Sequence, residues 1–208
     1  MPWKTDAVKG GRPAADSPPS PGDFRQSPLG EYLDTRMFEQ RVIWIRGPLD
    51  DQAATVAATQ LMTLDGSGDD KIQLHLNSGE GTLSAALTLM ETILALGVPV
   101  EGICSGRAEG AALGVLALAP YRWASLHSRL RLHDDELVVA GSAAAMLQEL
   151  NQHQRQLERF VELVAKATGQ PAERVEIDLA DGRYFDLEEA IDYHLIDGIW
   201  QGGTPSRG

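Results

Sequence analysis

Cysteine is nearly absent: Cys104 is the single one in 208 residues. One thiol can form neither an intrachain disulfide nor a multi-thiolate metal site. Such sparing use points to a reducing compartment. Long apolar runs are absent too. None reaches the ~18 residues of a membrane span, and the longest, Ala111 to Pro120, has the length of a core helix. The first residues, MPWKTDAVKGGRPAADSPPSPGD, hold no apolar leader, so a cytoplasmic protein is expected. Basic residues are in short supply, 18 Lys and Arg against 30 Asp and Glu, for a net charge of −12. That balance argues against nucleic acid or an anionic membrane as the main partner. The acidity reads first as solubility and a solvated rim.

What is present suits one globular domain with a real core, with 43% hydrophobic and 23% charged residues. Residues 1–28 are rich in Pro, Gly and Ser with almost no apolar spacing, and 202–208 are similar. Both are expected to be disordered tails, which leaves 29–201 as the folded unit. Within it, 41–46 (RVIWIR) reads as a buried strand and 71–76 (KIQLHL) as an alternating one. Residues 98–104 read as a third strand. Apolar positions in 52–64 fit a helix capped by Asp50 or Asp51, and 83–96 reads as another. Strand and helix alternating in units of about 30 residues imply right-handed βαβ crossovers and a largely parallel sheet. Beyond Pro120 come short strand-like segments at 121–125 and 129–133. A long helix over 142–168 follows, with Gly169 and Pro171 at its end. It is too long for a domain of this size to cover, so part of it is expected to project. A segment at 173–179, a short helix at 187–193 and a strand at 195–200 complete the chain.

The chain is organised around 102–120, GICSGRAEGAALGVLALAP. It reads as strand, tight turn of small residues and buried helix. In serine acyl-transfer enzymes such a turn carries the nucleophile beside backbone donors that hold an oxyanion. Here the turn has that shape and no obvious nucleophile.

RVIWIRGPLDD, LHLNSGEGTLSAALTLMETI, VEGICSGRAEGAAL, SRLRLH and ATGQPAERVEIDLADGRYFDLEEAIDYHLID stand in this order and spacing. Together they resemble the proteolytic subunit of the ATP-dependent Clp protease (ClpP), from about Tyr32 to Trp200. The resemblance implies an α/β, crotonase-like fold of βαβ repeats. It makes the 142–168 helix a projecting handle that joins two stacked heptameric rings. It implies homo- or hetero-oligomers of ClpP-type subunits and AAA+ unfoldases docking outside, and it calls for no cofactor and no metal. The Pro-rich tail does not match the family's N-terminal docking loop.

The family's Ser-His-Asp triad carries over incompletely. Gly106 and Ala108 match a Gly-x-Ala-x-Ser-x-Gly turn, and the Ser position is Gly110. His133 matches the triad histidine, followed by Asp134 and Asp135 where the family has Gln-Pro. Before Arg183-Tyr184, the Asp position is Gly182, with Asp181 one residue earlier. The oxyanion donors map to Gly81 and Ala111, with Gly79 and Glu80 replacing Pro and the first Gly of an Asn-Ser-Pro-Gly-Gly motif.

Glycine cannot form an acyl-enzyme, so the resemblance implies a subunit inactive as a peptidase. Ser105, Ser78 and Thr82 read as turn or cap residues rather than replacement nucleophiles, and Cys104 as inert core. His133 without the family's Ser or Asp reads as a relic or a packed, hydrogen-bonded residue rather than a working base. A metal site from His133, Asp134, Asp135 and Glu136 is disfavoured, because adjacent carboxylates point to opposite sides. The alternative is a crotonase-fold enzyme acting on acyl-CoA through Glu80 or Glu109, as enoyl-CoA hydratases use carboxylates beside an oxyanion hole. It rests on analogy of fold.

Overall fold

The computed structural model describes residues 28–134 and 139–202. The expected tails, 1–28 and 202–208, lie outside them save for Pro28, which is helical, and Gly202; Asp135 and Glu136 lie outside as well. The chain divides into two compact units, Met1–Arg36 and Met37–Gly208. Residues 28–36 of helix α1 (Pro28–Glu39) are the described part of the first, and the last three residues of the helix belong to the second. The second holds everything that follows.

Five parallel strands form the main path of the sheet, in the order β1-β2-β3-β4-β7. They are β1 (Val42–Arg46), β2 (Ile72–Ser78), β3 (Val100–Glu109), β4 (Tyr121–Ser125) and β7 (Gly198–Trp200). Strand β5 (Arg129–Leu132) joins β3 in parallel, and β6 (Arg183–Phe185) pairs antiparallel with β5. Between them run α2 (Asp51–Asp65), α3 (Leu83–Ala95) and α4 (Ala111–Leu118). Parallel strands need such crossovers, and a sheet covered in this way reads as near-continuous apolar runs. Strand β2 is buried from Ile72 to Leu76, yet it alternates, with Ile72, Leu74 and Leu76 apolar and Gln73 and His75 polar.

Local chemistry sets the helix starts. Asp50 caps α2 by accepting from the Ala53 N–H at 2.8 Å, and Thr82 caps α3 by accepting from Ala85 at 3.1 Å. Helix α4 is buried from Ala111 to Ala117. It approaches α5 (Ala143–Thr168) so closely that a Cβ on Gly114 would lie 2.1 Å from Phe160 Cε2. Along α5 the covering is uneven. Phe160, Val161, Leu163 and Val164 are in the core, whereas Leu147 and Leu150 are 62% and 47% exposed. The first half of the long helix therefore lacks full cover from the described residues, as its length led one to expect.

Three boundaries differ from the sequence expectation. Strand β3 does not end at Cys104 but runs on to Glu109. Its first half borders β4 (Cys104↔Ala124) and its second half borders β5 (Arg107↔Arg129). Ladder bonds from β5 hold small and polar residues extended that have no strand signal of their own. The 173–179 segment is helix α6 (Ala172–Ala180), followed after β6 by α7 (Leu187–Asp192). The last strand is confined to Gly198–Trp200, because Leu195 and Ile196 still bond to the carbonyl of Ala190 at the end of α7.

The sheet's second face is polar and aromatic. His75 stacks on Trp44 with ring centroids 4.4 Å apart, and its Nδ1 lies 2.9 Å from Ser105 Oγ. Buried Glu101 accepts from Lys71 Nζ at 3.0 Å, Gln73 Nε2 at 2.9 Å and Trp123 Nε1 at 3.0 Å.

Candidate functional site

Gly110 is the N-cap of α4, with φ 53° and ψ −121°. L side chains rarely take this conformation. The bend is held from both sides: its N–H donates to Arg131 O at 2.9 Å, and its carbonyl accepts from Leu113 at 3.1 Å. A Cβ built at 110 would lie 3.1 Å from His133 Cε1 and 3.4 Å from His133 Nδ1. The elbow thus aims position 110 at the edge of the His133 ring.

Gly81 lies beside it. A Cβ there would meet Leu49 Cβ at 2.9 Å and Ala111 Cβ at 3.1 Å. The loop is pinned by Leu49 N–H to Glu80 O at 2.8 Å and Thr82 N–H to Leu49 O at 3.0 Å. Gly81, Ala111 and His133 line one cleft of about 370 Å³, together with Asp134, Glu149 and His153. The structure therefore brings together four of the five positions singled out in the sequence: Gly81, Gly110, Ala111 and His133.

The fifth, Gly182, joins them along the backbone. Strands β5 and β6 pair as far as Leu132↔Arg183, and His133 and Gly182 are the next residues on each chain. No carboxylate stands at 182. A Cβ there would meet Arg131 Nη2 at 2.7 Å, and Arg131 Nε donates to Gly182 O at 3.1 Å. Asp181 is an exposed C-cap of α6. The buried acid nearby is Asp178, and it is committed: Arg174 Nε lies 2.9 Å from Oδ2 and Arg183 Nη1 3.2 Å from Oδ1.

Several side chains weighed from the sequence are engaged elsewhere. Glu109 is 4% exposed and accepts from Arg129 Nε at 2.7 Å. Glu80 is exposed, and neither glutamate lines the cleft. Ser78 Oγ donates to Glu80 O at 2.9 Å, a turn bond, and Thr82 is a cap. Cys104 is fully buried, and burial pushes its thiol up to about 11, away from the thiolate that would react. Among the described residues no group of three or more His, Cys, Asp or Glu is placed to hold a metal ion.

His153 was not foreseen as a site residue. It lies on α5 and meets Asp134 Oδ2 through Nε2 at 2.9 Å, inside the cleft. The signal was the break in the apolar stripe at 152–155, where a polar run interrupts a helix face that should be buried. Arg131 was missed as well. It reads as one polar position of an alternating strand, and only the fold shows it over Gly182.

With this geometry in view, the comparison with known families is direct. A family model for Clp protease matches residues 30–203. The chain belongs to the Clp protease family. The match spans nearly all the described residues and accords with the α/β architecture. Within this member of the Clp protease family, the elbow, the neighbouring loop and the histidine stand together around a cleft, and the elbow residue has no side chain. No helix among the described residues is long and apolar enough to cross a membrane.

Proposed function

We propose that this chain is a ClpP-like subunit that does not itself cut peptide bonds and serves a Clp-type protein-degradation complex as a structural or regulatory member. One observation carries the reading. Gly110 occupies the N-cap elbow against His133, where acyl transfer needs a hydroxyl, and it offers none. The acid position offers no help, since Gly182 faces the Arg131 guanidinium instead. Backbone donors at Gly81 and Ala111 remain. Donors without a nucleophile leave only the residual catalysis of an oxyanion hole, far below that of a working protease. The half-uncovered α5, with Leu147 and Leu150 exposed, supports membership of an assembly, because an apolar helix face of this kind is usually covered by a partner.

The test incubates the pure protein with a small peptide ester and a fluorophosphonate probe. The expected result is no burst of product and no labelled residue. Labelling of any serine, mapped by peptide mass, overturns the reading. Glu80 and Glu109 lie off the cleft and Glu109 is bound to Arg129, so nothing in the geometry favours the acyl-CoA alternative.

A further inference from the structure

Away from the elbow, the last turns of α3, α4 and α5 border a pocket of about 300 Å³, the low end of the range for small-molecule sites. Its floor is apolar and well covered: Ala117, Ala119 and Leu163 are 1%, 3% and 5% exposed. Leu94, 56% exposed, stands at the mouth. Two cations, Arg122 and Lys166, line the pocket and no carboxylate among the described residues does. The two cations differ. Arg122 is committed, since its guanidinium pairs with Asp197 and donates to His194 O at 2.8 Å and Ala167 O at 3.3 Å. Lys166 is exposed. Glu162, one turn back on α5 and so its natural partner, leans to Arg159 at 3.3 Å instead. Among the described residues no carboxylate is paired with Lys166. A last-turn lysine also suits the helix dipole, but that role calls for no apolar cavity beside it.

We propose that this pocket binds a linear medium-chain fatty carboxylate, its tail on the floor of Ala117, Ala119 and Leu163 and its carboxylate at Lys166. Charge and polarity select the occupant. One uncompensated ammonium calls for one negative charge. The floor offers no polar side chain, and the carbonyls of Ala167 and His194 are already taken by Arg122. Amides of a peptide would be buried there without partners, whereas a hydrocarbon tail needs none. Helix C-termini disfavour an anion, so the carboxylate belongs at the exposed mouth beside Lys166 and not on the floor. The cleft at His133 is no rival for it, because Asp51, Asp134 and Glu149 line that cleft and repel an anion.

Isothermal titration calorimetry of the full chain tests this near neutral pH, with hexanoate, octanoate, 1-octanol and octylamine as probes. The expected result is one site that binds octanoate more tightly than hexanoate, by about fourfold for each added methylene. Lys166→Gln should weaken octanoate about fivefold and leave 1-octanol unchanged, with Lys166→Arg close to wild type. Leu94→Gln should weaken octanoate and 1-octanol alike. Arg155→Gln, exposed on the first half of α5, controls for net charge and should bind as wild type. All three positions are exposed, and unchanged melting temperatures verify the folds. Absence of octanoate binding, octylamine binding as tightly as octanoate, or Lys166→Gln behaving like Arc155→Gln's wild-type control overturns the inference. None of these outcomes bears on the proposed lack of peptidase activity, which rests on Gly110.

Discussion

Replacing Gly110 by serine places a hydroxyl at the elbow, and its consequences follow from the geometry. The residue sits at φ 53° and ψ −121°. A non-glycine residue in so sparsely populated a region costs about 1–3 kcal/mol. The added Cβ also meets His133 Cε1 at 3.1 Å and His133 O at 3.2 Å, so the ring or strand end must give by a few tenths of an ångström. For a domain of this size the melting temperature falls about 2–4 °C per kcal/mol. On the proposed reading the chemistry follows only in part. The new hydroxyl stands beside His133, but no carboxylate stands at 182 to orient the imidazole, and removing that member of a triad costs about 10⁴ in turnover. Gly110→Ser is therefore expected to melt lower and to take up a fluorophosphonate slowly, at residue 110, with labelling abolished by His133→Ala. Differential scanning fluorimetry and intact mass with peptide mapping read both effects. Unchanged melting refutes the strain argument. Labelling at the rate of an intact serine protease refutes the claim that position 182 lacks a working acid.

Three further outcomes are expected. His75 is held neutral by burial, which lowers its pKa from 6.5 to about 4, with Glu101 opposing and Arg46 adding to the shift. Between those values the unfolded chain binds a proton that the folded chain refuses. Stability is thus fully present above pH 6.5 and drains away as the pH falls towards 4, by up to about 3 kcal/mol. Urea unfolding of wild type minus His75→Gln across that window isolates the effect, and a flat difference refutes it. Gly114→Ala puts a methyl 2.1 Å from Phe160 Cε2 at the α4–α5 contact. It should cost about 1–3 kcal/mol or more by overpacking, and a melting temperature equal to wild type would show that the two helices part freely. Cys104, buried and with its thiol pushed up to about 11, should resist iodoacetamide in buffer at pH 8 and react fully in guanidinium. Rapid native alkylation would mean that β3 opens locally.

Much of this fold was legible because its signals are local. The run 41–46 is β-branched and aromatic, Asp50 and Thr82 stand where caps belong, and Gly169 ends the long helix in the left-handed conformation its position suggests. The second half of β3 was not legible. Ser105 to Glu109 is small and charged, and it is strand only because β5, some twenty residues on, pairs with it. The site divides in the same way. Position 110 could be placed from the neighbouring Gly106 and Ala108. The Asp134–His153 contact and the Arg131 guanidinium over Gly182 join elements 19 and 51 residues apart, and no window of sequence contains both partners. Glu109 invited a catalytic reading for the same reason, since its partner Arg129 lies on another strand.

The glycines around the elbow explain how the frame can stand without a side chain at position 110. Gly81 is required by Leu49 and Ala111, and Gly114 by Phe160. Both demands come from backbone and core packing, and neither involves a reacting group. Position 110 differs, because there the conformation itself favours glycine while only catalysis would call for a side chain. Where no acyl group is transferred, glycine at 110 relieves strain and leaves the cleft walls in place. A folded elbow, a pinned Gly81 loop and an intact histidine are thus what this sequence should retain without a nucleophile. Their persistence is evidence about packing, and the question of activity rests on position 110 alone.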